Sequence, residues 1–169
     1  GDTQYDAWTN LTETNAQVSS ANTDGTPSKD FPTGPVPGPW PAAIESHAAG
    51  SGDAGFEKVS GTHYFASTGL YSPSGPSSFA VRDDTPVDDL ETVVFTIRLT
   101  EVPPQASDFQ PGGDPKLSFN GNAPALTPDS SVFLGQESGS SGGFNFTANK
   151  YLMQWDLSDE ADPINALHV

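Results

Sequence analysis

The segment "ETVVFTIRLTEV", residues 91–102, alternates apolar and polar side chains along its length. Side chains of an extended strand point to opposite faces with a period of two, so every second residue shares a face. One face carries only apolar side chains, namely Val93, Phe95, Ile97 and Leu99. The alternation therefore predicts a strand from Thr92 to Thr100 with one buried face and one mostly solvated face.

A second segment, "YLMQWDL" at 151–157, alternates in the same way and places Trp155 on the apolar face, where it is expected to be core. Shorter β-favouring pieces lie between clusters of Gly, Pro and Ser. They are Phe56 to Val59, His63 to Ala66, Ser78 to Arg82, "KLSFNG", "SVFLG" and the final "INALHV". Roughly eight short strands without a sustained helical period favour an all-β antiparallel sandwich or jelly roll with long Pro/Gly-rich loops.

The chain has 169 residues and a mass of 17.7 kDa, which fits one β-sandwich domain spanning residues 1–169. Prolines recur through "FPTGPVPGPWPAA", so residues 31–43 are expected to form an extended covering loop with Trp40 as its anchor. Two local elements are also expected: a strand near residues 5–12, and a helical turn or two within "PAAIESHAAG", residues 41–50.

The charge of the chain excludes several classes of partner. Asp and Glu number 22 against 6 Lys and Arg, giving a formal net charge of −16 at pH 7. Such a field repels phosphate backbones and anionic lipid headgroups, so nucleic acid and membrane surfaces are not expected partners. No apolar run approaches the roughly 20 residues that cross a bilayer. The sequence contains no cysteine, which excludes disulfides and thiolate chemistry.

Sequence motifs for catalysis are missing, and we predict that the protein is not an enzyme. His47, His63 and His168 lack the close spacing of a zinc site. The sequences "GSGDAG" and "SGSSGG" are flexible turn sequences without the flanking strand and helix of a G-x-S-x-G elbow, and no G-x-x-x-x-G-K-[ST] loop occurs. A glycosidase would need two converging carboxylates, and with 22 acidic residues the sequence singles out no pair.

The acidic turn "DDTPVDDLE" suggests a metal site. Its four aspartates, Asp83, Asp84, Asp88 and Asp89, are a candidate Ca²⁺ site, because this ion accepts several oxygen ligands in loosely defined geometry. The spacing matches no EF-hand. The alternative, which we favour, is that acids flanking an apolar strand act as gatekeepers against edge-to-edge aggregation.

Two aromatic side chains are candidate sugar-binding residues. Trp40 lies among prolines and is the tryptophan expected to be exposed, and Tyr71 follows a short β-favouring piece. Exposed aromatic rings stack on sugars in carbohydrate binders of jelly-roll type, so Trp40 and Tyr71 are the residues on which a polysaccharide site would depend.

Three segments, "TVVFTIRLTEV", "PKLSFNG" and "YLMQWDLSDEADPI", carry a family resemblance. Together they resemble the β-rich ectodomains of bacterial PEP-CTERM surface proteins, over roughly residues 60–165. The Pro-Glu-Pro motif, transmembrane segment and basic tail of that family are missing from this sequence. The resemblance implies export and a cell-surface or matrix role, and it brings no shared catalytic residues.

The leading hypothesis is an extracellular or cell-surface structural or adhesive protein. It would associate with itself or with other surface proteins, into fibres or a matrix layer, through sheet edges or Pro-rich arms. The final "INALHV" is a candidate for strand addition to a neighbour. The alternative hypothesis is a carbohydrate-binding module, with or without Ca²⁺.

Overall fold

The computed structural model describes residues 2–8, 11, 37–40, 42–46, 48–66, 69–71, 77–101, 115–121, 125–141 and 143–169. Every regular element in these ranges is a β-strand, and the strand pairs are antiparallel, which confirms the all-β prediction. No helix suited to crossing a bilayer occurs in the described ranges. The packing of the sheets as a sandwich or jelly roll stays a prediction.

Ten strands are present in the described residues. They are β1 (Ile44–Glu45), β2 (Gly55–Ser60), β3 (Tyr64–Ala66), β4 (Gly69–Tyr71), β5 (Ser78–Asp83), β6 (Thr92–Glu101), β7 (Ser118–Phe119), β8 (Ser130–Ser141), β9 (Phe144–Asp156) and β10 (Leu167–His168). The chain groups into two compact units, the first comprising Gly1–Val87 with Asn165–Val169 and the second Asp88–Ile164. The single-domain assignment stays a prediction.

In the first unit, strands β1, β2, β5 and β10 lie side by side in that order, and β3 and β4 form a hairpin. The final segment pairs within its own chain: Leu167 lies opposite Asp83, and Val81 and Val169 exchange backbone hydrogen bonds of 2.8 and 2.9 Å. The C-terminal strand is therefore docked on β5. Strand addition to a neighbouring molecule requires an unpaired strand, and the end of "INALHV" is already paired within its own chain.

In the second unit, β9 is the central strand of a three-stranded sheet with the order β6-β9-β8. Strand β6 pairs with β9 without interruption, from Thr92 opposite Asp156 to Glu101 opposite Thr147. The expected alternation is confirmed, since Val94 and its even-numbered neighbours are exposed while the odd-numbered apolar residues are half-buried. Trp155 is fully buried as predicted, and its Nε1 donates to the carbonyl of Leu126 at 3.2 Å.

Strands β8 and β9 form a hairpin longer than the sequence suggested. Ser141 lies opposite Phe144, so two residues close the turn, and Gly143 adopts a φ of 83° there. Of the stretch "SGSSGG", which composition alone marks as flexible turn, residues 138–141 form the end of β8. A β-bulge interrupts the ladder between Phe133 and Gly135, where Gly135 has a φ of 142°. A bulge bends a strand and breaks the regular spacing of its hydrogen-bonding groups.

Two local expectations are wrong in the described residues. Ile44 and Glu45 form strand β1 rather than a helical turn, because they pair with Phe56 and Gly55 of β2. The segment 2–8 is not a strand, although it is fixed by backbone bonds such as that from the Gly52 N–H to the Tyr5 carbonyl at 2.9 Å. Within the expected covering loop, residues 31–36 and 41 lie outside the described part of the chain.

Candidate functional site

Trp40 is buried in the first unit, with 6% of its surface exposed, so the expectation that it is exposed is wrong. Its indole stacks on Phe65 at a centroid distance of 4.6 Å and meets Phe56 edge-on at 5.6 Å. The Trp40 backbone N–H donates to the Lys58 carbonyl at 3.0 Å, which fixes the segment on β2. A sugar needs at least one accessible face of an aromatic ring to stack on, so this indole would first have to leave its aromatic cluster.

The aromatic cluster forms the core of the first unit. Trp40, Ile44 and Phe65 are buried, and the half-buried side chains of Trp8, Leu11, Phe56, Leu70 and Phe79 pack against them. Trp8 anchors the N-terminal segment to this core because its Nε1 donates to the Ile44 carbonyl at 2.8 Å. Aromatic pairs in such arrangements add to the stability gained from burial alone.

Tyr71 is the second candidate sugar-binding residue. Its backbone lies in β4, opposite Tyr64 of β3. The position of its side chain lies outside what the structure describes. Its proposed role in glycan binding stays a prediction.

The four aspartates of the candidate Ca²⁺ site fall in different surroundings. Asp83 is buried at the end of β5, whereas Asp84, Asp88 and Asp89 are exposed, with Asp89 at a φ of 54°. In the described part of the chain, no group of three or more His, Asp or Glu side chains is arranged to hold a metal ion. Binding of Ca²⁺ by these residues stays a prediction.

Asp83 instead belongs to a carboxylate network that sequence analysis missed. Gln4 links two of its members, because its Nε2 donates to the carboxylates of both Asp6 and Asp83 at 3.0 Å. The Thr85 backbone N–H donates to Asp83 at 2.8 Å, and the Thr85 hydroxyl bonds Asp53 at 3.0 Å. Three segments far apart in sequence are thereby tied together.

The network also holds the N-terminal segment against β1 and β2. Asp6 accepts hydrogen bonds from the Ser46 hydroxyl at 2.9 Å and from the Ala54 backbone N–H at 3.2 Å. Burial raises the pKa of Asp83, and the nearby charges of Asp6 and Asp53 raise it further, while the hydrogen bonds from Thr85 and Gln4 oppose that rise. The side-chain amide, hydroxyl and backbone N–H groups that donate to these carboxylates are all neutral. Their hydrogen bonds hold the segments together, but they do not cancel the repulsion between the negative charges of the carboxylates.

A second polar cluster closes the loop between β2 and β3. The Lys58 Nζ donates to the His63 carbonyl at 2.9 Å, and the His63 Nδ1 lies 2.5 Å from the Ser77 hydroxyl oxygen. That hydroxyl also accepts the His63 backbone N–H at 3.2 Å. Burial, and secondarily the Lys58 charge, lower the pKa of His63, which favours the neutral imidazole.

This Ser77–His63 pair has part of the geometry of a nucleophile and its base. A catalytic pair also needs a group that orients the base and donors that stabilise the developing oxyanion. In the described residues, no carboxylate contacts the His63 imidazole, whose edge packs against Phe79 at a centroid distance of 5.1 Å. The described contacts are those of a link between β3 and the start of β5.

The sheet of the second unit presents four of the six large hydrophobic side chains that are exposed in the described residues; the other two, Tyr5 and Val59, belong to the first unit. Val94, Val132, Phe133 and Leu134 are exposed by 55%, 46%, 54% and 47%. Strands β6 and β8 form the two edges of this sheet, and in the described ranges no further strand pairs with the outer side of either one. An edge strand presents unpaired N–H and C=O groups that can accept another strand. This sheet is therefore the candidate interaction surface.

The charges on this sheet are few and partly neutralised. Strand β6 contains Arg98 and Glu101, strand β8 contains Glu137, and strand β9 contains Lys150 and Asp156. Arg98 and Glu137 form an ion pair across β9 at 3.2 Å, with both side chains largely exposed. Exposed pairs of this kind contribute little to stability. Two basic residues against three acidic ones leave the three strands close to electrically neutral in a strongly acidic chain.

Comparison of the chain with protein-family models, with curated proteins and with solved structures gave no match. The resemblance to PEP-CTERM ectodomains therefore rests on the three quoted segments. The described residues form an all-β structure. Its first unit contains the hydrogen-bonded carboxylate network, and its second unit contains a sheet in which no further described strand pairs with β6 or β8.

Proposed function

We propose that this protein is an extracellular or cell-surface structural protein that acts by self-association. One observation carries the proposal: the sheet β6-β9-β8 has long strands at both edges and exposes Val94, Val132, Phe133 and Leu134. Monomeric soluble proteins rarely leave long apolar edge strands uncovered, and interaction sites are a common reason for such exposure. The cell-surface location is supported by the family resemblance, and the acidic composition is compatible with it.

The experiment that tests this proposal is a measurement of particle mass against concentration. Light scattering after size exclusion, from about 1 to 500 µM protein, should give masses above 17.7 kDa that rise with concentration. The same series at low and millimolar Ca²⁺ tests the candidate site at Asp83, Asp84, Asp88 and Asp89. A mass of one chain under every condition would refute self-association.

The dependence of particle mass on salt concentration is a second, independent test of self-association. With a net charge of −16, two copies repel each other over distances of about one Debye length, roughly 10 Å at 0.1 M salt. Association through a nearly neutral sheet edge should therefore strengthen as sodium chloride rises from 50 to 500 mM. Weakening over this range would indicate an association driven by opposite charges instead.

The carbohydrate-binding alternative now depends on Tyr71 more than on Trp40. A glycan screen comparing the wild type with Tyr71→Ala tests it directly. Specific retention that Tyr71→Ala abolishes, at unchanged thermal stability, would favour that function for the chain.

A further inference from the structure

The outer edge of β6 is regular along the whole strand. The Leu157 N–H donates to the Glu91 carbonyl at 2.7 Å, and the register continues without a bulge from Thr92 opposite Asp156. In an antiparallel ladder, the peptide groups of successive residues point alternately toward and away from the partner strand. The odd-numbered residues therefore bond β9, and the even-numbered ones direct N–H and C=O groups outward. The outward set is Thr92, Val94, Thr96, Arg98 and Thr100.

The outer edge of β8 is less suited to pairing. Its ladder is broken between Phe133 and Gly135, so the spacing of its outward peptide groups changes in the middle of the strand. Bulges are one of the devices that protect sheet edges from added strands. Strand β6 has no such interruption.

We propose that β6 pairs antiparallel with β6 of a second copy of this chain, about a two-fold axis at Thr96. This inference rests on the proposed self-association and names its surface and its partner. A two-fold at Thr96 places Thr96 opposite its own copy, Val94 opposite Arg98 and Thr92 opposite Thr100. All five outward residues then form reciprocal pairs, giving about ten backbone hydrogen bonds. Every other register leaves at least one of them unused.

The side chains of β6 also match their own copies in this register. On the half-buried face, Val93 lies opposite Leu99 and Phe95 opposite Ile97, so apolar residues meet apolar residues. Cross-strand pairs of β-branched and aromatic residues stabilise a sheet. In an isologous interface every pair occurs twice, so these apolar pairs recur on both sides of Thr96.

Charge favours this register over the one centred two residues further along β6. A two-fold at Arg98 would place two arginines directly opposite each other, which destabilises a strand pair. In the register centred on Thr96, Arg98 lies opposite Val94, and the backbone positions of Glu91 and Glu101 lie opposite each other at the two ends. The pairing joins two sheets into one of six strands, with β8 at both outer edges.

The test uses two lysine substitutions at exposed strand positions. Thr96→Lys places two like charges opposite each other at the proposed two-fold, whereas Ser138→Lys adds the same charge on the exposed β8 edge. Each variant adds one positive charge and so reduces the net negative charge of the chain by the same amount. The overall electrostatic repulsion between two copies therefore changes equally in both variants. We expect the wild type to form dimers, Thr96→Lys to raise the dimer Kd tenfold or more, and Ser138→Lys to leave it unchanged. Circular dichroism and Tm verify that both variants fold.

Amide hydrogen exchange measures directly whether the outward N–H groups of β6 become hydrogen-bonded in the dimer. The N–H groups of Val94, Thr96 and Arg98 should exchange fast at low protein concentration and become protected as dimers form. Oligomers that persist in Thr96→Lys, or that dissociate in Ser138→Lys, would overturn the β6 pairing while leaving self-association intact. A chain that stays monomeric at all concentrations and salt levels, with these amides unprotected, would overturn both proposals.

Discussion

Replacement of Trp40 by alanine separates a structural indole from a ligand-binding one. In the structure the side chain is 6% exposed and stacks on Phe65, with Phe56 at its edge. Truncating a buried tryptophan costs about 3–5 kcal/mol, because the transfer free energy is lost and a cavity remains. For a chain of 169 residues, that loss corresponds to a fall in Tm of roughly 10 °C.

The assay is thermal unfolding followed by near-ultraviolet circular dichroism, which reports on packed aromatic rings. Tyr5→Ala is the control, because Tyr5 is 59% exposed and substitutions at exposed positions change stability by less than about 0.5 kcal/mol. A Trp40→Ala variant that unfolds within about 2 °C of the wild type would refute the burial argument. Loss of glycan retention at unchanged Tm would then show that the indole faces a ligand.

Three further predictions concern the first unit. The pKa of Asp83 is raised in the native state, so the native state binds this proton more tightly than the unfolded chain does. Asp83 therefore stabilises the fold at pH values below its unfolded pKa. That contribution is lost as the pH rises through the native pKa. Wild type should thus gain stability relative to Asp83→Asn as pH falls from 7 toward 4, and equal pH slopes in urea titrations would contradict this. Gly61→Ala should lower the free energy of unfolding by roughly 2–4 kcal/mol, because φ is 95° and a Cβ would lie 2.5 Å from the Ser77 Cα. Gly50→Ala is the control and should cost about 1 kcal/mol, because its φ is 83° and nothing lies within 4 Å of the added Cβ. Equal losses in Tm for the two variants would refute the crowding at Gly61. Deleting residues 167–169 should lower the Tm by removing the bonds to β5, and an unchanged Tm would show that β10 contributes nothing.

The elements that sequence predicted best are those in which side-chain alternation is strong. Strands β6 and β9 follow the pattern of "TVVFTIRLT" and "YLMQWDL", and the burial of Trp155 follows from it. The second half of β8 could not be predicted, because Gly and Ser have low strand propensity. Its strand conformation comes from pairing with β9, where Ser138 lies opposite Thr147 and Gly139 opposite Phe146.

The surroundings of the candidate site residues were beyond local sequence analysis. Prolines beside Trp40 suggested exposure, but Phe56, Phe65 and Phe79, which enclose the indole, come from strands later in the chain. The carboxylate network likewise unites positions 6, 53 and 83, whose proximity exists only in the folded chain. A linear pattern reports on the face of one strand, whereas these contacts depend on which strands become neighbours.

The bulge at Phe133 and Gly135 has a consequence for the size of any assembly. In the language of polymer chemistry, a subunit with two reactive ends grows without limit, and one with a single reactive end stops at a pair. With β6 paired as proposed and the interrupted β8 edge disfavouring a second strand, each chain would have a valence of one, and edge pairing would end at the dimer. Deleting Leu134, the extra residue of the bulge, would raise the valence to two, and electron microscopy should then show filaments where the wild type shows discrete particles.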